Sequence, residues 1–137
     1  LRGRGTMAKQ VLIVDDNADN RALLYYALMT RSYDIHQAAL GSEAQTLLKN
    51  TRFDLALLDI ELPDASGLEL AAQLRELYPD VVLIVLSAND SISLMETARG
   101  LGVNAYAVKP FNLPEVLKFI QDFDSDLIKA DSTMKML

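Results

Sequence analysis

The segment that decides the fold is Asp54-Leu-Ala-Leu-Leu-Asp59, in which four apolar or small residues lie between two acids. Short apolar runs bounded by turn residues are typical of buried strands, and this run has no polar face. Pro63 and Gly67 follow within a few residues and favour a loop, so the strand should end at Asp59. We therefore predict a central strand whose last residue places a carboxylate at the rim of a sheet.

Strand-like and helix-like segments alternate five times along the chain. This alternation predicts a parallel sheet with helices on both faces, joined by right-handed crossovers. The second strand is the most polar and suits an edge position, and His36 on it is interpreted as structural. The expected fold is α/β, a doubly wound five-stranded parallel sheet with five helices, for which the order 2-1-3-4-5 is consistent but not derivable from one sequence. The predicted strands are 11–14, 33–38, 54–59, 81–86 and 105–108, and the predicted helices are about 18–30, 41–49, 67–77, 91–99 and 113–127.

The composition restricts the class of protein. With 137 residues, 50% of them hydrophobic and 23% charged, the chain can bury the core of one globular domain. A net charge of −6 argues against direct binding to nucleic acid or to an anionic membrane. The absence of cysteine excludes disulfides and thiolate metal sites and fits a reducing compartment. Without a long apolar run or a signal-peptide pattern, we expect a soluble, cytoplasmic domain.

The domain boundaries follow from where the periodic pattern begins and ends. Residues 1–6 have no periodicity and are interpreted as a cloning remnant or a disordered arm. Residues 7–129 form the predicted domain. Residues 130–137 carry no clear pattern and are interpreted as a tail or the start of a linker.

Reactive side chains follow four of the five predicted strands. Because the carboxyl ends of parallel strands lie along one edge, and the switch point of this order lies between the first and third strands, Asp15, Asp16 and Asp59 should meet. Three neighbouring carboxylates repel, so one must bind a proton or the group must hold a cation, and oxygen ligands favour Mg²⁺ or Mn²⁺. Lys109 would add a second positive charge and Ser87 a hydroxyl donor. This set suits a phosphoryl group arriving at Asp59 as nucleophile.

Each of these signals also has an ordinary structural interpretation when it is taken alone. An acidic pair can favour a helix N-terminus, an aspartate or serine can belong to a turn or a cap, and a lysine is usually solvated. Asp54 and Asp64 are rival acceptors, but Asp54 begins its strand and Asp64 lies in the following loop. The joint placement of the residues at four strand ends favours a functional site.

The combined motifs resemble the receiver domain of response regulators in two-component signalling. The resemblance extends from Lys9 to about Leu127, and each of its motifs occurs once and in order. They are Asp15-Asp16 after the first strand, Asp59 with Pro63 and Gly67 after the third, Ser87-Ala88 after the fourth and Lys109-Pro110 after the fifth. The resemblance implies a flavodoxin-like fold.

The resemblance also implies roles for individual residues. Asp59 would accept a phosphoryl group from the phosphohistidine of a sensor histidine kinase or a phosphotransfer protein. Lys109 would pair with that group, and the Lys109–Pro110 bond would be cis. Mg²⁺ (or Mn²⁺) would be held by Asp16, Asp59 and the backbone carbonyl of Glu61, with Asp15 acting through water.

Two further residues would carry the signal in such a domain. Ser87 would move toward the phosphate and Tyr106 would rotate inward, which would change the surface made by the fourth helix, fifth strand and fifth helix. That surface would control a downstream effector or an attached output domain, or would form a homodimer. Such a domain catalyses its own phosphorylation and slow hydrolysis but is not a turnover enzyme. Phe119, off the centre of the last helix's apolar stripe, is either core or a partner surface.

Several departures and alternatives remain open. Leu62, Ser66 and Ser87 replace residues that are common in the family, and Glu61 and Asn89 stand where the family tunes the lifetime of the phosphoryl group. An aspartyl-phosphate phosphatase would have Asp-x-Asp after the first strand, and an FMN carrier would have a Ser/Thr/Gly-rich loop there. A receiver-like module that signals without phosphate is not excluded by the sequence.

Overall fold

The computed structural model describes residues 8–137, so the segment interpreted as a remnant or an arm lies outside the described residues. Strands and helices alternate along the chain, as predicted, and most bounds agree with the prediction to within one or two residues. The elements are β1 (Lys9–Val14), α1 (Ala18–Leu28), β2 (Tyr33–Ala38), α2 (Gly41–Asn50), β3 (Leu55–Asp59), α3 (Gly67–Leu77), β4 (Val82–Ser87), α4 (Ile92–Gly100), β5 (Ala105–Val108), α5 (Leu113–Asp124) and β6 (Lys135–Met136).

All strands belong to one sheet of order β2-β1-β3-β4-β5-β6, and every neighbouring pair is parallel. The predicted order of the first five strands is therefore confirmed. The sheet has one strand more than predicted, because residues 135 and 136 pair with Ala105 and Tyr106 at the outer edge of β5. This strand has only two residues, which is too short for a periodic pattern to indicate it.

The helices pack in two layers, one on each face of the sheet. Helices α2, α3 and α4 share one core layer with the residues of each strand that point to that face, such as Leu12 and Leu58. Helices α1 and α5 share the other layer with the alternate residues, such as Ile13 and Leu57. The central strands β3 and β4 are apolar up to their last residue because both of their faces are covered, which is the reason the sequence shows continuous apolar runs.

Side-chain caps determine where the helices begin. Asn17 caps α1 by accepting a hydrogen bond from Asn20 N at 2.9 Å, and Ser91 caps α4. The helix α5 ends at Asp124 rather than near Leu127, because Asp126 has a φ of 60°, a left-handed conformation that ends a helix. Between residues 8 and 137, no helix combines the length and apolar character needed to cross a membrane.

The segment after α5 packs against the sheet. The Asn104 side chain, which is buried, donates from Nδ2 to the carbonyl oxygens of residues 129, 130 and 132 at 3.0–3.2 Å. Met134 is buried in the layer that contains α4. Phe119, for which a partner surface was one alternative, is buried in the layer that contains α1 and α5, so it belongs to the core.

Candidate functional site

The residues predicted to meet at the carboxyl ends of the strands do so. Asp15 follows β1 and is buried, Asp16 is exposed in the β1–α1 loop, and Asp59 ends β3 with only 3% of its surface exposed. One carboxylate oxygen from each of the three lies within 4.8 Å of those of the other two. Because the oxygens are hard donors and one of the three carboxylates is open to solvent, the group fits a hard divalent cation such as Mg²⁺ or Mn²⁺.

Lys109 lies between the two buried carboxylates. Its ammonium is 3.1 Å from Asp15 Oδ2 and 3.0 Å from Asp59 Oδ2. Burial acts to lower the pKa of Lys109, but the hydrogen bonds and charges of the two aspartates outweigh it, so the pKa is raised. The lysine therefore stays charged and supplies a fixed positive charge at the edge of the acidic group.

Burial makes Asp59 an unusually basic carboxylate. Desolvation raises its pKa from 3.8 to about 6, and the charge of Asp15 acts in the same direction. The hydrogen bond from Lys109 and the backbone N–H of Glu61 oppose this effect. At neutral pH the group is ionised but more basic than a surface aspartate, which suits a nucleophile.

The backbone around Asp59 is held by a close contact with α3. A Cβ atom at Gly67 would lie 2.1 Å from the Asp59 carbonyl oxygen and 2.9 Å from Ile60 Cα, so only glycine fits. Gly67 N also donates to Ile60 O at 2.8 Å. Gly67 therefore packs the first turn of α3 directly against the residue that carries the central carboxylate.

Arg21 is a positioning residue that the sequence did not indicate. Its guanidinium donates from Nη1 to the carbonyl oxygen of Asp15 at 2.7 Å, while Asn17 N donates to Asp15 Oδ1 at 2.9 Å. These contacts hold the β1–α1 loop that carries both acids. A basic residue near the start of the helix after the acidic pair was the only available signal, and it is too common to be specific.

Ser87 is turned toward Glu61 rather than toward the acidic group. Its hydroxyl donates to Glu61 Oε2 at 2.6 Å, and Ala88 N donates to Glu61 Oε1 at 3.1 Å. Asn89 N in turn donates to the Ser87 hydroxyl at 2.9 Å. The Glu61 side chain therefore bridges the loops after β3 and β4. The resemblance suggested its backbone carbonyl as a metal ligand and its position as one that tunes the lifetime of the phosphoryl group, but nothing in the sequence connects residue 61 with residue 87.

Tyr106 is fully buried in the middle of β5. Its hydroxyl donates to the carbonyl oxygen of Asn89 at 2.6 Å, in the same loop that follows Ser87. Burial raises the pKa of Tyr106, and the carboxylates of Glu61 and Asp90 add to the effect. The ring therefore occupies an inward position and connects β5 to the β4–α4 loop.

The rival acceptors lie elsewhere and have structural partners. Asp54 Oδ2 accepts a hydrogen bond from Gln10 N at 2.7 Å, at the opposite end of β3. Asp64 accepts hydrogen bonds at the start of α2 from the backbone N–H groups of residues 41 and 42, at 2.7 and 3.0 Å. His36 hydrogen-bonds Gln10 and stacks edge-to-face on Phe53, which agrees with the structural interpretation. The Lys109–Pro110 bond is cis, as the resemblance implied.

Comparison with known proteins gives consistent matches. Residues 11–121 match the family model of the response regulator receiver domain. The response regulator MprA of Mycobacterium sp. (strain KMS) is 37% identical over 111 residues, which are 81% of this chain and 48% of the relative. MprA of Mycobacterium tuberculosis (strain ATCC 25177 / H37Ra) is 35% identical over the same length. The chain thus spans about half the length of the curated relatives it matches.

Solved structures match over most of the chain. A response regulator receiver domain protein from Methanospirillum hungatei JF-1 has a TM-score of 0.81 and 30% identity, covering 88% of this chain and 96% of that one. A response regulator from Burkholderia pseudomallei, with a phosphorylated aspartic acid, a calcium ion and citrate, has a TM-score of 0.75 and 33% identity. That match covers 87% of this chain and 70% of the other.

Proposed function

Because this chain belongs to the response regulator receiver domain family, we propose that it is a phosphorylation-dependent switch whose acceptor is Asp59. The observation that carries the proposal is the buried Asp59 carboxylate, 3.0 Å from the Lys109 ammonium and grouped with Asp15 and Asp16. A phosphorylated aspartic acid in the Burkholderia pseudomallei relative supports the same chemistry.

The cation would be held by this chain's own carboxylates. Asp16 and Asp59 would ligate Mg²⁺ (or Mn²⁺) directly, Asp15 would act through water, and the backbone carbonyl of Glu61 would complete the protein ligands. The calcium ion in the Burkholderia pseudomallei relative is a hard cation of the same kind. Bound here, the metal would neutralise charge on the transferred group, and the residues of the chain would do the positioning.

The phosphoryl donor would be a phosphohistidine of a sensor histidine kinase or a phosphotransfer protein. A carboxylate oxygen of Asp59 would form the new P–O bond as the P–N bond breaks, and the imidazole would leave with a proton. Lys109, which pairs with Asp59 and Asp15, would shift its hydrogen bonds to the phosphoryl oxygens. The domain would promote its own phosphorylation and slow hydrolysis without turning over a separate substrate.

The switch would begin with an exchange of hydrogen bonds at Ser87. Its hydroxyl would leave Glu61 for a phosphoryl oxygen, and the β4–α4 loop that holds Tyr106 through Asn89 would follow. Changing a two-state population from 1:99 to 99:1 requires about 5.5 kcal/mol of differential stabilisation. A dianionic group beside a metal and an ammonium is a plausible source of that energy.

Phosphorylation would change the surface made by α4, β5 and α5, and the partner would bind there. The matched 111 residues cover only 48% of the MprA relative, so an attached output domain is one partner for that surface. A separate effector or a second copy of the chain is the alternative. We propose a cytoplasmic location, because the phosphoryl donors of this family act there.

The acceptor can be tested by measuring intact mass after incubation with acetyl phosphate, with Mg²⁺ and with EDTA. We expect one added phosphoryl group in the wild type with Mg²⁺ and none with EDTA. Asp59→Asn should abolish the addition. Asp54→Asn and Asp64→Asn are matched controls that should leave it intact, because these acids lie outside the acidic group.

Two outcomes would contradict the proposal. An adduct that persists in Asp59→Asn would assign the acceptor to another residue. Failure of the wild type to form an adduct, together with failure to bind beryllium fluoride, would leave an interaction module that works without phosphate.

A further inference from the structure

Ser87 and Tyr106, the two residues expected to move together, are in different states in this structure. Ser87 donates its hydroxyl to Glu61, and Lys109 binds the two buried aspartates, which is the arrangement expected before phosphorylation. The Tyr106 ring is nevertheless inward, with none of its surface exposed, which is the position expected only after phosphorylation. The ring therefore takes its inward position while Ser87 still binds Glu61.

The inward ring of Tyr106 has partners for both its polar and its apolar parts. Its hydroxyl donates to the carbonyl oxygen of Asn89 at 2.6 Å, and its ring packs in the core layer that contains α2, α3 and α4. A buried tyrosine with a bonded hydroxyl combines a large apolar contact with a satisfied polar end. Outward rotation would break the hydrogen bond and expose the ring, so the inward position is favoured without any phosphoryl group.

The C-terminal segment, residues 129–137, covers the outer side of Tyr106. Lys135 N donates to Asn104 O at 3.0 Å and Leu137 N donates to Tyr106 O at 2.9 Å, so backbone pairing continues beyond β5. Met134 is 7% exposed and packs in the same core layer as the Tyr106 ring. A residue on an edge strand has free space on the side of the open edge, and here β6 takes that space.

This cover is anchored to the body of the domain. The buried Asn104 side chain donates from Nδ2 to the carbonyl oxygens of residues 129, 130 and 132. Its Oδ1 accepts from Leu83 N in β4 at 2.9 Å and from Arg75 Nη2 at the end of α3 at 3.1 Å. The turn that precedes β6 is therefore attached through one side chain to β4, β5 and α3.

We propose that Tyr106 is a fixed support of the switch and not one of its moving parts. Its ring stays inward before and after phosphorylation of Asp59, and the C-terminal segment keeps it there. The moving part is then the β4–α4 loop, in which Ser87 exchanges Glu61 for a phosphoryl oxygen while the ring stays in place behind it. The state after phosphorylation rests on the proposed function, whereas the support of the ring by the C-terminal segment does not.

The test measures the solvent access of Tyr106 by ¹⁹F NMR on the full chain labelled with 3-fluorotyrosine. Spectra are recorded in EDTA, and again with Mg²⁺ and beryllium fluoride as the phosphoryl analogue; Tyr106→Phe and Tyr26→Phe assign the two resonances. A soluble gadolinium chelate should broaden Tyr26, which is 65% exposed, in both conditions. Tyr106 should broaden about fivefold less in both, because a close-packed core excludes the chelate. The amide resonances of residues 88 and 89 should shift with beryllium fluoride.

Two methionine substitutions form a matched pair that tests the C-terminal segment. Met134→Ala removes a buried side chain from the layer that holds the Tyr106 ring, so chelate broadening of Tyr106 in EDTA should increase about threefold. Met136→Ala changes a side chain of the same segment that is 46% exposed, and broadening should stay at the wild-type level. Unchanged amide resonances of β1 and β3 show that each variant is folded.

Three results would overturn the inference. The first is wild-type Tyr106 broadening to the level of Tyr26 in EDTA, and the second is a clear change in that broadening when beryllium fluoride binds. The third is equal broadening of Tyr106 in Met134→Ala and Met136→Ala, which would refute the role of the C-terminal segment. Intact mass after acetyl phosphate treatment tests the phosphoryl switch separately. If no adduct forms and beryllium fluoride does not bind, that switch fails, and the EDTA spectra still decide whether the segment holds the ring.

Discussion

Replacing Asp59 by asparagine should stabilise the metal-free protein at pH 7.5. Burial raises the pKa of this carboxyl from 3.8 to about 6, so the folded state holds its proton over a pH range in which the unfolded state has lost it. Stability is therefore lost as pH rises from about 4 to 6. Above that range the ionised carboxylate lowers the free energy of unfolding by about 3 kcal/mol, since each unit of difference between the folded and unfolded pKa corresponds to about 1.36 kcal/mol.

Asparagine removes this cost but loses one acceptor. Asp59 accepts from Lys109 Nζ through one oxygen and from Glu61 N through the other, and an amide can serve only one of the two. Losing one hydrogen bond offsets about 1 kcal/mol, which leaves a net gain of about 2 kcal/mol. For a domain of this size the gain corresponds to an increase in Tm of about 6–10 °C.

The assay is urea denaturation in EDTA at pH 7.5 and at pH 5. The advantage of Asp59→Asn should be smaller at pH 5, by about 1 kcal/mol, because the folded wild type then binds its proton. Asp64→Asn is the control, because its effect on stability should depend on pH in the opposite direction. The backbone N–H groups of Gly41 and Ser42 lower the pKa of Asp64, so its contribution is present above the unfolded pKa and is lost in acid. An Asp59→Asn variant that is less stable than the wild type at pH 7.5, or whose advantage does not change with pH, would refute the reasoning.

Four further substitutions test the packing at the site and elsewhere in the domain. Gly67→Ala should reduce phosphoryl incorporation at Asp59 and lower stability by about 3 kcal/mol or more, because the added Cβ would overlap backbone atoms, and intact mass and urea denaturation measure both. Gly100→Ala, whose Cβ meets nothing within 4 Å, should instead raise stability by about 0.5–1 kcal/mol. Asn104→Ala should cost about 3 kcal/mol, since it leaves buried backbone groups without partners, and unchanged urea midpoints would show that the Asn104 side chain contributes nothing to stability. Phe119→Ala should cost about 3–5 kcal/mol in the same assay if the residue is core, and a loss of partner binding without a loss of stability would contradict its burial.

The sheet was predictable because its physical cause is local. Strands buried on both faces must be apolar along their whole length, and turn residues must follow them, so β3 and β4 are visible in the sequence. Parallel strands carry their carboxyl ends to one edge, which is why Asp15, Asp59 and Lys109 could be expected to meet. The distances of 3.0 and 3.1 Å between these groups agree with that expectation.

The contacts between loops were not predictable, because nothing local causes them. Glu61 and Ser87 are 26 residues apart, and only the neighbouring positions of β3 and β4 bring their side chains together. Arg21 is only 6 residues from Asp15, but its contact with the Asp15 carbonyl depends on how the cap of α1 orients the start of that helix. A single sequence contains no signal for such pairs, since each side chain has many acceptable partners.

By itself the sequence determined the alternation of elements, the α/β class and the set of acids, hydroxyl and lysine at the strand ends. These depend on apolar periodicity and on turn residues, which act within a few positions along the chain. Only the tertiary structure decided that Ser87 binds Glu61, that Phe119 is core and that residues 135 and 136 add a sixth strand. Each of these depends on what another segment offers at that point in space, and for β6 the decisive feature is the open edge of β5 rather than any property of its own two residues.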